Sequence, residues 1–506
     1  MNRKLVAEDF KAGAARRRWK SFSYTKALFV LLIITLPIVN PWVHGDGVGY
    51  YAYAHSLLID HDLQFENEWR AANSSFTIGR IGTDGEILAS QYTATHHLDN
   101  HFTVGPAILW APFLIVVHLA IVLLNSLGTH INADGYGRPY LLTMALATVG
   151  YGFCGLLLCF HLTREFVAER WAFLAVVGYW FASSLPVYMY LNPSWSHAHT
   201  LFSVALFLWY WQRTRMRRSL LQWIALGLLA ALMVNVYYLN VVWLMIPAFE
   251  AIANYFQTLA SSSDAHSSSK RESFASLLAS HFTFVVVFVI GMLPTLITRK
   301  IIYGGYLQTG YPGAHEWFWT NPVLGSVWFS SDHGLFTWTP ILILALLGLV
   351  LFFRIDRTLA FYFLAIFAVF SYVLACYVNW DGISSFGNRF FISIGPAFII
   401  GLAVLFDRIF RGWAGGRKSF IAATMVVALF AAWNVGFIIQ WGDHLIPVRG
   451  EISWRMMVYN QFCIVPAKLW DTADSFLFHR NRLLHQIEQK DNNELQNQNP
   501  DSGSHP

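Results

Sequence analysis

Ala27–Val43, ALFVLLIITLPIVNPWV, runs apolar almost without interruption and gives way at once to His44-Gly45-Asp46-Gly47, so a carboxylate stands at the lip of a hydrophobic run. The run is long enough for a bilayer, and Arg16, Arg17, Arg18 and Lys20 precede it. The positive-inside rule therefore keeps residues 1–26 in the cytoplasm and places Asp46 on the outward face. The run exceeds a signal-peptide core and has no small-residue cleavage site, so it reads as a retained anchor. Ionisable groups beside a bilayer are costly and mark function.

Working outward from this stretch, hydrophobic residues make up 56% and charged residues 12% of the chain, which excludes an ordinary soluble globule. The apolar runs are continuous and do not alternate, which excludes an outer-membrane barrel. The fold class is an all-α polytopic membrane protein. The net charge of +5 comes mostly from short loops, so it reports topology and argues against a nucleic-acid partner. The four cysteines are scattered and form no disulfide framework or metal motif.

The loops fall into two sets. Arg164 and Arg170, the arginines at 213, 215, 217 and 218, Lys270 and Arg271, Arg354 and Arg357, and the basic residues from Arg408 to Lys418 mark one side. Between them lie loops rich in Asn, Trp, Tyr, His and Gly, at 192–199, 237–240, 299–332 and 379–389. For the sets to alternate, 104–127 must not cross, and Pro106 and Pro112 suit a broken or tilted re-entrant or interfacial helix there; a true span with inverted topology is the other reading. About eleven spans remain, near 27–43, 139–160, 171–191, 200–212, 220–237, 240–258, 277–298, 335–353, 359–378, 391–407 and 419–440. They make up one transmembrane domain over 27–440. Residues 441–489 read as an outward amphipathic segment, Ser261–Ser273 as a polar linker, and 490–506 as a disordered tail. No P-loop or dinucleotide fingerprint is present, so any chemistry belongs on the outward face.

The first outward loop, 44–103, sets eight acids against Arg70 and Arg80, and holds six histidines. Val48–Leu63 has apolar residues at helical spacing and reads as a juxtamembrane helix ending at Asp60 and Asp62, either a cap or a divalent-metal pair. The run His96-His97-Leu98-Asp99-Asn100-His101 has ligands enough for a metal, but its spacing is that of no recognised site, and a solvated loop explains it too.

Gly45-Asp46-Gly47 after the first span, Tyr50-Tyr51-Ala52-Tyr53, Ser56–Leu63 and Asn67-Glu68 resemble bacterial members of the glycosyltransferase C superfamily, which includes protein O-mannosyltransferases and lipid A aminoarabinose transferases. Gly105-Pro106, Leu109–Phe113, Ser196-His197-Ala198, His333–Phe336 and Ser385–Phe390 are similar to its later landmarks. The resemblance covers about residues 25–440. It implies the glycosyltransferase C fold in a bacterial inner membrane. It also implies an inverting transfer of one sugar from a polyprenyl-phosphate donor to a lipid, glycan or protein acceptor, at an outward site among membrane lipids. No cofactor is implied, and a divalent metal stays open.

In that family Asp46 matches the catalytic acid, here the base; a cap on the surface helix is the other reading. Asp99 matches a second acid, with His101 where the aminoarabinose transferases have the lysine of a Lys-Pro, and this chain has no Lys-Pro there. Outward cations, scarce by the positive-inside rule, are needed for the departing phosphate: Arg299, Lys300, His333 and, best placed after Gly387-Asn388, Arg389. A snorkelling arginine is the plain alternative. His197 and His199, beside Asn192 and Trp195, would line the sugar pocket; plain membrane anchors are the other reading. Two competing functions stand beside this one. A polyprenyl-linked glycan ligase or polymerase would share the arginines without needing the acid, and a lipid-linked sugar transporter would need the mid-span charges and repeats that this chain lacks.

Overall fold

The computed structural model describes residues 23–260, 267–311, 316–411 and 416–498. The basic residues before Ser23, residues 261–266 of the linker and 499–506 of the tail lie outside the described residues. The described chain is helical throughout, with only isolated β-bridges.

The main helices are α1 (Tyr24–Thr35), α2 (Asp46–His55), α3 (Gly105–Ser126), α4 (Arg138–Thr163), α5 (Glu169–Ala182), α6 (His197–Thr214), α7 (Leu220–Val236) and α8 (Met245–Ala260). Then follow α9 (Ser267–Gly291), α10 (Leu293–Tyr303), α11 (Ile341–Phe352), α12 (Arg357–Ala375), α13 (Gly395–Phe410), α14 (Gly416–Gly442), α15 (Val465–Phe478) and α16 (Arg480–Gln498). Polar residues start several of them: Ser23 caps α1, Asp356 caps α12, and Ser219 with Gln222 forms a capping box on α7. Among the described residues, seven helical stretches are long and apolar enough to cross a membrane. They are Gly105–Ser126, Arg138–Thr163, Tyr238–Ala260, Phe274–Gly291, Arg357–Ala375, Arg389–Phe410 and Gly416–Gly442. Tyr24–Ile38, Leu220–Val236 and Ile341–Phe352 are apolar but shorter.

The core forms where α11, α13 and α5 press together. A Cβ on Gly348 would lie 1.7 Å from the carbonyl oxygen of Gly401, so this contact exists only because both helices carry glycine there. The two sets of loops separate to opposite ends of the bundle. At one end Arg213 pairs with Glu165 at 3.2 Å, Arg215 with Asp356 at 3.3 Å and Arg218 with Glu250 at 2.7 Å. Asp46, Trp195 and Arg389 meet at the other.

Two expectations need correction. α3 is continuous rather than broken, because Pro106 sits in its first turn, where no intrahelical N–H is lost, and Pro112 removes only one bond of the ladder. The continuous helix of 22 residues is about 33 Å long, enough to cross a membrane. The segments on either side of it both bond to α2: Tyr53 donates to the Asn100 carbonyl at 2.9 Å and Tyr51 to the Gly135 carbonyl at 2.6 Å. The tail expected to be disordered from Lys490 is helical through Gln498. Its acids explain why. Glu488 accepts from the Ser75 N–H at 2.6 Å and the Ser74 hydroxyl at 2.7 Å, and Asp491 lies 3.3 Å from His44 and 3.1 Å from His444.

Candidate functional site

Asp46 is the first residue of α2, and its position is set by what α2 can approach. A Cβ on Gly47 would fall 1.9 Å from Ser194 Oγ, and one on Gly49 would fall 2.0 Å from the Phe102 ring. The two glycines let the helix lie directly on the 194–195 turn and on the end of its own loop. The Trp195 indole N–H donates to the His44 carbonyl at 2.8 Å, and its ring faces the Arg389 guanidinium at 4.2 Å. Arg389 Nη2 reaches Asp46 Oδ2 at 2.8 Å. Residues far apart in the chain thus build one ion pair.

Arg389 is buried, and its Nε and Nη1 have no hydrogen-bond partner among the described residues, nor has Asn388 Oδ1; Asn388 Nδ2 donates to the Trp380 carbonyl at 3.2 Å. Orphaned guanidinium N–H groups in a buried place are costly unless an acceptor fills their fork. Two cavities meet here, sharing Asp46, Phe102, Gly382, Ile383 and Arg389. The smaller, about 210 Å³, is aromatic and polar, with Tyr50, His101, His197, Tyr237, Tyr311 and Trp317 in its wall. The larger, about 570 Å³, runs along apolar side chains such as Ile38, Phe181, Leu191, Ile439, Phe476 and Leu484. α15 and α16 supply one of its walls.

Of the residues expected at the site, the structure therefore gathers Asp46, Arg389, His101 and His197, with Asn388 adjoining. Burial, the largest influence, pulls the His101 imidazole below its ordinary range, while the charges of Asp99 and Asp46 oppose that pull. Its ring stands edge-on to Tyr311 at 5.0 Å.

The other candidates go elsewhere. Asp99 lines neither cavity and accepts the Tyr303 hydroxyl. Arg299 is spent on backbone: it donates to the carbonyls of Asn100 at 2.8 Å, His101 at 2.9 Å and Phe102 at 2.6 Å, and to the Tyr238 hydroxyl at 2.7 Å. It clamps the loop end that carries His101. Lys300 donates to the Gly304 carbonyl at 2.6 Å and lies over Tyr306, outside both cavities. His333 is fully buried against Trp338 at 4.9 Å, and burial holds its pKa down at about 3, so it is neutral and no phosphate cation.

At the far end of α2, His55 meets Glu68 at 2.9 Å and Asp60 at 3.1 Å. His55 Nε2 donates to the Asp134 carbonyl at 2.7 Å, so a proton on Nδ1 as well makes the ring an imidazolium between two carboxylates. Burial works against that charge, and the hydrogen bonds to Glu68 and Asp134 outweigh burial and raise its pKa. Asp60 thus belongs to this cluster and is not a plain helix cap. The histidines at 96 and 97 join no ligand cluster among the described residues.

Sequence reasoning missed Arg80 and Arg449, which both line the larger cavity. The signal for Arg80 was present: it is one of only two arginines in the 44–103 loop of eight acids. No protein-family model matches the chain, and no curated protein matches it.

Proposed function

We propose that the protein is an inverting glycosyltransferase of the bacterial inner membrane, moving one sugar from a polyprenyl-phosphate carrier to a lipid, glycan or protein acceptor on the outward face. The observation that carries this reading is the Asp46–Arg389 pair at the junction of an apolar groove and an aromatic, polar cavity. In this reading the groove takes the prenyl chain, and α3 lies at the outer interface without crossing. The unpartnered N–H groups of Arg389 hold the carrier phosphate, and the sugar rests among Tyr50, His101 and Tyr237.

The reaction is one displacement. The acceptor hydroxyl oxygen forms a bond to the anomeric carbon as the bond from that carbon to the phosphate oxygen breaks. Asp46 takes the hydroxyl proton, and Arg389 meets the negative charge gathering on the departing prenyl phosphate. The ion pair aims Asp46, which is 31% exposed on its side chain and open to the cavity.

The test compares wild type with Asp46→Asn in proteoliposomes supplied with radiolabelled polyprenyl-phosphate sugars. Asn keeps the shape and an acceptor for Arg389. Transfer should fall by about 10²–10⁴-fold with folding intact, the range for a lost general base. A variant as active as wild type would make Asp46 structural and overturn the assignment.

A further inference from the structure

The head of the apolar groove carries arginines that a single phosphate transfer does not use. Three guanidiniums line it, those of Arg80, Arg389 and Arg449. Its two carboxylates are already engaged, Asp46 with Arg389 at 2.8 Å, and Asp491 with His44 at 3.3 Å and His444 at 3.1 Å. Arg80 has no carboxylate within ion-pair distance among the described residues. Its Nη1 donates to the Phe76 carbonyl at 2.8 Å and its guanidinium lies 4.3 Å from the Phe76 ring centre, so the side chain is held by its own turn.

Arg449 comes from the segment after α14 and lines the same groove. Burial lowers the pKa of both arginines, and at Arg80 the charge of Arg449 lowers it further, against the attraction of Asp46. Arg449 is also attracted to Asp491 and Glu494, which leaves Arg80 the cleaner probe. Arg80, a cation with no carboxylate of its own beside an apolar cavity, costs free energy that an anion there recovers. Arginine forks match phosphate oxygens in geometry as well as charge.

We propose that Arg80 and Arg449 form a second phosphate subsite beside Arg389, so that the ligands filling the groove bring two phosphate groups to its head. The inference rests on the groove holding a prenyl phosphate. The second phosphate has two sources, a diphosphate on the carrier or a phosphate on a lipid acceptor.

Binding to the full chain in nanodiscs tests it, with farnesyl monophosphate, farnesyl diphosphate and a short diacylglycerol phosphate as probes. If the carrier is the source, wild type binds the diphosphate about tenfold or more tighter than the monophosphate, as one added charged hydrogen-bonding group gives. Arg80→Gln and Arg449→Gln then erase that preference and keep the monophosphate affinity, which also shows that they fold. If the acceptor is the source, the two farnesyl probes bind alike, and diacylglycerol phosphate binds the monophosphate-loaded protein with an affinity that falls about tenfold in Arg80→Gln. Equal binding of both farnesyl probes, with no Arg80-dependent binding of the third, overturns the second subsite alone. Monophosphate binding that is absent, or indifferent to Arg389→Gln, overturns the groove reading beneath it.

Discussion

Arg299 and Arg389 look alike in sequence, each an outward arginine near the end of an apolar run, and the structure gives them opposite jobs. Replacing Arg299 by Gln removes four hydrogen bonds, three of them to the successive carbonyls of Asn100, His101 and Phe102. At about 1.5 kcal/mol for each charged hydrogen bond the gross loss is about 6 kcal/mol. Such contacts are not additive, and the freed carbonyls recover part of the loss from water at the membrane lip. A net destabilisation of about 3–5 kcal/mol follows, the range for removing one partner from a buried charged network. Denaturant unfolding of the purified chain in detergent reads this directly. Farnesyl monophosphate binding supplies the second axis: the folded fraction of Arg299→Gln should keep its affinity within about threefold, because Arg299 lends no donor to the groove. An unchanged unfolding midpoint together with a tenfold loss of phosphate affinity would refute the clamp and return Arg299 to the site.

Gly49→Ala should destabilise by about 1–3 kcal/mol, since its Cβ would stand 2.0 Å from the Phe102 ring, and should lower transfer as α2 shifts. Gly150→Ala, within α4 and with nothing near its Cβ, is the control, and unfolding midpoints that move together would remove the steric argument. The latch between α16 and the histidines should also respond to pH. Burial alone would lower the His444 pKa, but its bonds to Asp491 and Glu494 raise it to about 9. Burial would likewise raise that of Asp491, whereas the bonds to His44 and His444 bring it well below the carboxylate range. A raised histidine stabilises fully below its ordinary value near 6.5 and ceases to as pH climbs through 9, while a depressed aspartate stabilises above about 4. The latch is therefore strongest between about pH 4 and 6.5. Hydrogen exchange in 480–498, corrected for its intrinsic rate, should quicken from pH 7 to 9.5, and a flat profile would count against the latch.

What could be read in the sequence and what could not divide along a physical line. The apolar runs, the charge on each loop and the odd acid at position 46 are local quantities, and a bilayer turns local hydropathy into architecture. Asp46 and Arg389 were both visible because each is a rare residue type for its place. Arg299, Lys300 and His333 are as rare by the same rule, and the difference lies in what comes back to meet them. Carbonyls of the 100–102 stretch occupy Arg299, a nearby carbonyl takes Lys300, and Trp338 covers His333. Scarcity of charge can nominate a residue, but only the tertiary partner decides whether its donors remain available.

The tail shows the converse error. Its composition favours disorder, yet Glu488, Asp491 and Glu494 recur every three residues and so share one face of a helix. That face meets His44 and His444. The periodic acids needed histidines more than 40 residues away in sequence to give them meaning, and one of those histidines stands two residues before Asp46. A helix whose composition suggests solvent thus becomes a wall of the groove, and its attachment point adjoins the proposed base. It follows that the C-terminal segment and the chemistry proposed at Asp46 are mechanically joined: loosening α16 should widen the groove and free His44 together, whereas a change confined to the aromatic cavity should leave α16 in place.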